Sequence, residues 1–430
     1  MQQLHTKDNN LKLITDLVNP YLNDYQKEKF LLSLKDNKTY SFILNRQKIG
    51  DLSNLNLING CIKSNYDNIT YYHNEKGIGN NLLNSTGSIY IMDASSSLIS
   101  YYLKDLIQGE SLVCDLCSAP GGKSISLALE KDNLSFLCND ISFSRVVEMN
   151  KNFSRLGLDN MITISNYPNK ISNLKEVFDL VILDAPCSGT GMIRKDKKMI
   201  SDYSIKKVDT CIKTQHELLS VADKILKKGG ILSYSTCSLN IEEDELQIER
   251  FLSKHNYEII EIPQKENIIK GSVGYHLIPG LFEGEGIYFC FLRKKEGNIN
   301  ELTRVKLSNI EGISTFTYKN KEYAIKEMYK EFLDLNIYSP GIKVFDDSPY
   351  SKYKYSFEFT HLIKDNYKKI NINITDAKKY FNGEKLNTEL NIPDGYYFLK
   401  YNHLPIGLGI KKGNIIQNLL PKRLRLNCQL

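Results

Sequence analysis

No stretch of about 18 consecutive apolar residues occurs in this 430-residue chain, which excludes a transmembrane helix. The N-terminal MQQLHTKDNNLKL has neither an apolar h-region nor a small-residue cleavage site, so no signal peptide is expected. Histidine is scarce, and the seven present are scattered, so no chemistry is assigned to them. Nine cysteines are scattered as well, which argues against a disulfide framework in a chain of this kind. Cys114 and Cys117 form a C-x-x-C, but no second pair at zinc spacing follows. The expectation is a cytoplasmic protein that holds no metal. No internal repeat is visible.

What is present is ordinary for a globular protein: 41% hydrophobic, 10% aromatic and 25% charged residues. At about 150 residues per domain, the length implies two to four domains. The net charge of +6 is modest, but it is unevenly placed. Residues 301–430 carry +7 and residues 1–300 carry −1. The final stretch holds Lys411, Lys412, Lys422, Arg423 and Arg425 without an acid. A basic end on a near-neutral body suits a polyanion such as nucleic acid. A solvated tail is the plainer reading of the same charges.

Residues 1–92 combine helical patterning from Leu11 to Leu34 with a strand-like run, Tyr40 to Leu44, and form a small N-terminal α+β domain. Residues 93–296 alternate strands and helices. LVCDL (112–116) leads through a Gly-rich turn to a helix beginning at ISLALE (125–130). FLCND (136–140) precedes an amphipathic helix, 145–157, closed by Gly157. ITIS (162–165) is a third strand and DLVILDAP (179–186) a fourth. The fourth is almost wholly apolar, as befits a strand covered on both faces. A helix of roughly 210–228, then GG, leads to ILSYS (231–235). Such alternation predicts an α/β fold, a Rossmann-like doubly wound sheet with ligands beyond the carboxyl ends of its strands. A basic, Asn-rich stretch near 296–312 reads as a linker, followed by a first C-terminal domain (313–375) and a second (376–430).

Three segments carry chemistry. The first, Asp115 to Lys123, is a strand ending in an acid and then a Gly-rich turn into a helix. Such a turn lets backbone approach a ligand closely, and the helix N-terminus suits an anionic group. Asp140, at the next strand end, stands where a ribose-binding carboxylate belongs. The second, Asp184-Ala-Pro-Cys-Ser-Gly-Thr-Gly191, and the third, Tyr234-Ser-Thr-Cys-Ser238, each put a cysteine at the carboxyl edge of the sheet. A lone cysteine beside a strand reads as a buried structural thiol. Two of them, both next to serine and both at the expected ligand edge, favour catalysis.

These motifs resemble those of the RNA 5-methylcytosine methyltransferases. DLCSAPGGKS, DAPCSGTGMIRKD and SYSTCSLNIEEDE are similar to three signature motifs of that family, and the chain resembles its bacterial RsmF-type members, which act on 16S ribosomal RNA. SFILNRQK (41–48), IYIMDASSSL (89–98) and HLIPGLFEGEGIYFCFLRKK resemble further family segments. DAKKYFNGEKL (376–386) and LPIGLGIKKGNIIQNLLPKRLR (404–425) resemble its C-terminal PUA-like RNA-binding module. The resemblance implies S-adenosyl-L-methionine as methyl donor and RNA, most simply the small ribosomal subunit, as partner of a monomer. It implies that Cys237 is the nucleophile, that Cys187 assists breakdown of the covalent adduct, and that Asp184 contacts the cytosine or the methyl-donor end. Cys117, Ser118, Ala119, Pro120, Gly121, Gly122 and Lys123 would hold the methionine part of the cofactor, Asp140 the ribose, and Arg145 would support that site. Asn166 stands where family members often place an adenine-contacting acid. His276 stands where an arginine is usual.

The thiol has a chemical reason. Carbon 5 of cytosine is a poor nucleophile, and addition of a thiolate at carbon 6 turns it into an enamine-like carbon able to attack a methyl sulfonium. The thiolate needs an electropositive setting, and the base must leave its stack to reach it. RKDKK (194–198) is read as an RNA contact, and EEDE (242–245) as the cap of the following helix. Two alternatives share the motifs: a tRNA-directed enzyme of the same chemistry, and a non-catalytic RNA-binding protein. A third, methylation of an exocyclic nitrogen, needs no thiol and is disfavoured by DAPC in place of a [D/N]-P-P turn with an aromatic.

Overall fold

Phe178, Leu180, Val181, Ile182 and Leu183 have no exposed surface, and the strand they form runs through the middle of the largest sheet. Burying each such side chain is worth about 1.5–3 kcal/mol. The computed structural model describes residues 12–35, 40–67, 69–73, 76–345, 355–362, 367–422 and 425. The chain forms two compact units, each of three segments.

The first unit comprises Met1–Thr39, Asp93–Phe143 and Ser165–Leu302. A helical stretch at 12–18 precedes helix α1 (Asp24–Ser33), which is started by a capping box between Asn23 and Gln26, and α2 (Ala94–Leu106) follows. From there the chain alternates: β1 (Ser111–Asp115), α3 (Gly122–Glu130), β2 (Leu134–Asn139), α4 (Phe143–Leu156), β3 (Phe178–Asp184), α5 (Ile205–Ile225) and β4 (Leu226–Thr236). Helix α6 (Glu245–Leu252) and strand β5 (Ile287–Lys294) follow. Within this unit the order is β2-β1-β3-β4-β5. The first four are parallel, and β5 adds antiparallel to β4. Strands Tyr257–Ile260 and Tyr275–Leu277 then pair antiparallel with β5. After β1 the chain crosses to β2 on one side and returns to β3 on the other. That reversal between β1 and β3 is the point at which a doubly wound sheet opens a crevice for a ligand.

The expected alternation is present, with one difference. The GG pair does not separate helix from strand. β4 starts at Leu226, directly after α5, and passes through Gly229 (φ +80°) and Gly230. Leu226 pairs with Phe178, but Ile231 already pairs with Leu180, so the extra residues form a bulge.

The second unit comprises Tyr40–Met92, Ser144–Ile164 and Thr303–Leu430. It contains most of α4, whose buried Val146, Met149, Phe153 and Leu156 fall on one helical face. Gly157, at φ +74°, ends that helix as expected. Strand Met161–Ile164 pairs with Ile337–Ser339. Strands 40–44, 62–63, 70–73 and 89–91 form a four-stranded sheet, and strands 308–310, 313–318, 321–324 and 342–343 another. The stretch expected to be a linker thus contributes strand Ser308–Ile310 to a sheet. A five-stranded sheet of strands 368–371, 386–387, 395–401, 404–412 and 415–418 accompanies helix Ile374–Phe381. Phe42, Leu83 and Ile89 share one core with Tyr380, Leu399 and Ile406, so the N-terminal and C-terminal sheets are built around common apolar residues.

Candidate active site

The carboxyl ends of β1, β2, β3 and β4 carry Asp115, Asp140, Asp184 and the loops of Cys187 and Cys237. At the end of β1, Asp115 is buried and its Oδ2 accepts a 2.6 Å hydrogen bond from Ser124 Oγ. Burial pushes its carboxyl up to about 6, against the pull of that hydroxyl. The following turn is folded tightly: Ser118 N–H donates to Asn139 O and Gly121 N–H donates to Ser118 O, both at 2.7 Å. Gly121, at φ +101°, starts α3 in a conformation open to glycine. Cys117 is half-buried, Ser118 and Ala119 are buried, and Pro120 is exposed.

Asp140 lies one residue past β2, buried, with Oδ1 accepting from Ser142 N–H at 2.9 Å. Asn166 is buried, and its backbone N–H donates to Asn139 Oδ1 at 2.9 Å. Arg145 is exposed in the first turn of α4 and belongs to the second unit. The donor set in the first unit fits S-adenosylmethionine: free N–H groups in the first turn of α3 for a carboxylate, and a carboxylate at the end of β2 for ribose hydroxyls.

Beyond β3 and β4 stand the two cysteines. Cys187 Sγ and Cys237 Sγ are 3.1 Å apart and both half-buried, so the pair is reachable. Gly191 N–H donates to Cys237 O at 2.8 Å, and Leu239 N–H to Thr190 Oγ1 at 2.8 Å, which ties the two loops together. A hydrogen bond from the Cys187 thiol holds Cys237 below the ordinary thiol range, with help from Lys123 against burial and Asp184. The same bond pushes Cys187 well up, together with burial and the nearby carboxylates. The two shifts run in opposite directions, so Cys237 gives up its proton more readily than Cys187.

Lys123, expected with the cofactor turn, reaches across to β3: its Nζ lies 2.7 Å from Asp184 Oδ2. Ser235 Oγ donates to Asp184 Oδ1 at 2.9 Å. The Asp184 side chain remains 43% exposed.

Three readings of charged residues change. EEDE does not cap α6: Asp244 occupies the N-cap position without a capping hydrogen bond. Its Oδ1 instead accepts from Thr236 Oγ1 at 2.5 Å, and burial pushes its carboxyl well up. Glu243 accepts from Ser188 N–H at 2.8 Å and Ser238 Oγ at 3.1 Å. Glu245 accepts from Tyr21 OH at 3.0 Å and lies 2.7 Å from Nε2 of the buried His276. In RKDKK, Arg194 is a buried structural cation, 3.4 Å from Glu285 and donating to Gly284 O at 2.8 Å, whereas Lys195, Lys197 and Lys198 are exposed. At the basic end Lys411 is buried and pairs with Asp394 at 3.5 Å, Lys412, Lys422 and Arg425 are exposed, and Arg423 and Leu11 lie outside the described residues. Ser235, Lys207 and Gln215 have no role in the sequence reading, and Glu243 has only that of a helix cap. The only signal for Glu243 was its place in an acidic run after Cys237, which fits a helix cap equally well.

A sequence model of the family described as 16S rRNA methyltransferase RsmB/F matches residues 102–293, and one described as the methyltransferase RsmF PUA domain matches residues 367–426. The ribosomal RNA small subunit methyltransferase F of Vibrio atlanticus is 27% identical over 401 residues, which is 83% of this chain and 83% of that protein. The protein of that name from Pectobacterium atrosepticum is 32% identical over 237 residues, 53% of this chain and 48% of its own length. Among solved structures, a methyltransferase homologue from Pyrococcus horikoshii superposes with a TM-score of 0.57 at 26% identity, covering 66% of this chain and 95% of its own. NSun6 from Pyrococcus horikoshii shares the fold, with a TM-score of 0.58 at 17% identity, covering 67% of this chain and 98% of its own.

Proposed function

We propose that this chain, which belongs to the RsmB/F family of 16S rRNA methyltransferases, methylates carbon 5 of a cytosine in small-subunit ribosomal RNA through a covalent adduct on Cys237. The observation that carries this reading is the thiol pair, 3.1 Å apart, beside the Lys123–Asp184 ion pair.

The Cys237 thiolate adds to carbon 6 of the flipped cytosine, and the ring electrons move towards carbon 5 and nitrogen 3. Asp184, partly exposed, hydrogen-bonds the ring nitrogen or amino group and stabilises the adduct. Lys123 supplies the positive charge that favours the thiolate. Cys117 to Lys123, with Asp140 at the ribose and Asn166 at the adenine, would hold S-adenosylmethionine, whose sulfonium S–CH3 bond would break as carbon 5 takes the methyl group, leaving S-adenosylhomocysteine. Once carbon 5 carries its methyl group, its proton leaves to a base, the 5,6 double bond re-forms, and the carbon–sulfur bond breaks. Cys187, already donating to the Cys237 sulfur, stabilises the departing thiolate and so speeds release.

The reading includes a division into an N-terminal RNA-engaging part (1–92), a catalytic part (93–296), a first C-terminal part (313–375) and a PUA-like module (376–430). It also includes a monomeric enzyme that needs no metal and works in the cytoplasm. The family match at the C-terminal module supports the RNA-binding part of this division.

Bisulfite mapping of 5-methylcytosine in total RNA tests the reading. Cells with the gene, without it, and with Cys237→Ala are compared. Loss of one or a few 16S rRNA marks in the deletion and the variant supports it. Loss at a tRNA site keeps the chemistry and overturns the substrate. No change at any cytosine overturns both.

A further inference from the structure

Glu243 has no exposed surface. Buried carboxylates are rare because they lose hydration, and they persist where their partners are worth keeping. Here the partners lie on the two cysteine loops and on α5. Oε2 accepts from the backbone N–H of Ser188, next to Cys187, at 2.8 Å and from Gln215 Nε2 at 3.1 Å. Oε1 accepts from Ser238 Oγ, next to Cys237, at 3.1 Å. Gln215 also donates to Pro186 O at 2.9 Å, and Lys207 Nζ to Ser188 O at 2.9 Å, so Cys187 is gripped on both sides. Ser188 and Glu243 are 55 residues apart in sequence, yet this one side chain spans both loops.

We infer that Glu243 is a positioning residue: its carboxylate clamps the Cys187 loop to the Cys237 loop, sets the separation of the two sulfurs, and by its negative charge keeps the ionised sulfur on Cys237. The inference rests on the reading of Cys237 and Cys187 as the reacting pair. Its charge is felt unequally. It is among the groups that push the Cys187 thiol up, whereas Cys237 feels chiefly its bond from Cys187, and then burial, Asp184 and the opposing Lys123. Glu243 also raises the half-buried Cys211 and Tyr203, after burial in each case, and Lys207 opposes it at Cys211. Asp244, directly beside it, is turned away to Thr236. The neighbouring acids thus divide the work: Asp244 holds the strand before Cys237, and Glu243 holds the residues after both cysteines.

The test uses the full-length protein and Glu243→Gln, which keeps the size and removes the charge. Labelling by iodoacetamide near neutral pH, without RNA or cofactor, is quantified at each cysteine by mass spectrometry. Turnover is measured on 16S rRNA transcribed in vitro. Wild type labels preferentially at Cys237. In Glu243→Gln the share of label at Cys187 rises severalfold, and kcat falls about tenfold with KM for RNA within about twofold. A purely structural role would lower the folded fraction but leave the labelling ratio of the folded protein alone. An unchanged ratio and kcat in Glu243→Gln overturns the inference. Should that variant fail to fold, Ser238→Ala, which removes one arm of the clamp, decides it in the same two measurements: a shift in the same direction supports the clamp and none overturns it. Wild-type protein that labels at Cys237 but methylates no RNA would sink the proposed function, and the labelling ratio of Glu243→Gln would still decide the clamp.

Discussion

Lys123 Nζ lies 2.7 Å from Asp184 Oδ2, so the first turn of α3 is joined by an ion pair to the end of β3, three residues before Cys187. Lys123 is buried and Asp184 half-exposed. One cation therefore serves two neighbours: the carboxylate it touches and the Cys237 thiolate it favours.

Replacing Lys123 by methionine removes that charge and keeps most of the volume. Since Lys123 lowers the Cys237 thiol, its loss raises that thiol and reduces the thiolate at neutral pH. One pH unit corresponds to about tenfold in thiolate. The expected outcome is a displacement of the Cys237 alkylation profile towards higher pH, with turnover near neutrality down about tenfold or more. An alkylation profile that coincides with wild type refutes the electrostatic role.

Removing the Cys187 thiol separates formation of the adduct from its breakdown. Cys187→Ala is expected to accumulate a protein–RNA species that survives denaturing electrophoresis, while Cys237→Ala forms none. The double variant should also form none, because no nucleophile remains. Adduct in Cys237→Ala, or in the double variant, reverses the assignment of the two cysteines.

Asp115 predicts a pH-dependent penalty. Burial lifts its carboxyl in the folded protein from 3.8 to about 6, so the folded state binds the proton more tightly than the unfolded chain. Its favourable contribution is complete below 3.8 and disappears as pH rises through about 6. Above that range the charged form costs on the order of 3 kcal/mol. Asp115→Asn should therefore raise the unfolding free energy at about pH 8, and the gain should fade towards about pH 4, as read by denaturant titration at both values. Equal stabilities at the higher pH contradict the burial effect.

RKDKK divides into one structural and three surface cations. The Arg194 and Glu285 side chains are only 5% and 3% exposed, so Arg194→Ala leaves a buried carboxylate without its partner and should destabilise by about 3–5 kcal/mol. RNA affinity of the folded fraction should stay the same. Changing Lys195, Lys197 and Lys198 together to alanine should leave stability nearly unchanged, weaken RNA binding, and flatten its salt dependence by up to about three phosphate contacts. The two variants are compared by thermal melting and by RNA binding at several salt concentrations. Loss of RNA affinity in Arg194→Ala at full stability would contradict this division.

Much of the fold was legible locally. The run from Leu180 to Leu183 is apolar because both faces of β3 are covered, and Gly157 ends α4 because the chain there needs a positive φ. The Gly-rich turn after Asp115 and the Ser-flanked cysteines at two strand ends were recognisable because short-range chemistry dictates them. The charged residues were not. Arg194, Lys411 and Glu243 look in sequence like members of solvated or capping runs, yet all three side chains are buried, and Arg194 and Glu243 pair with residues 91 and 55 positions away.

The amino-acid sequence by itself determined the alternation of strands and helices, the Gly-rich turn after Asp115, and the presence of two thiols and a carboxylate at the strand ends. Hydrophobic period and turn chemistry act over a few residues, so they can be read without knowing the neighbours. Only the tertiary structure decided which of those residues meet. The order β2-β1-β3-β4 sets the ends of β1, β3 and β4 side by side. That adjacency pairs Lys123 with Asp184, brings Cys187 to 3.1 Å from Cys237, and lets Glu243 hold both loops. Electrostatic and hydrogen-bond energies depend on distance and burial, and neither is a property of position in the chain.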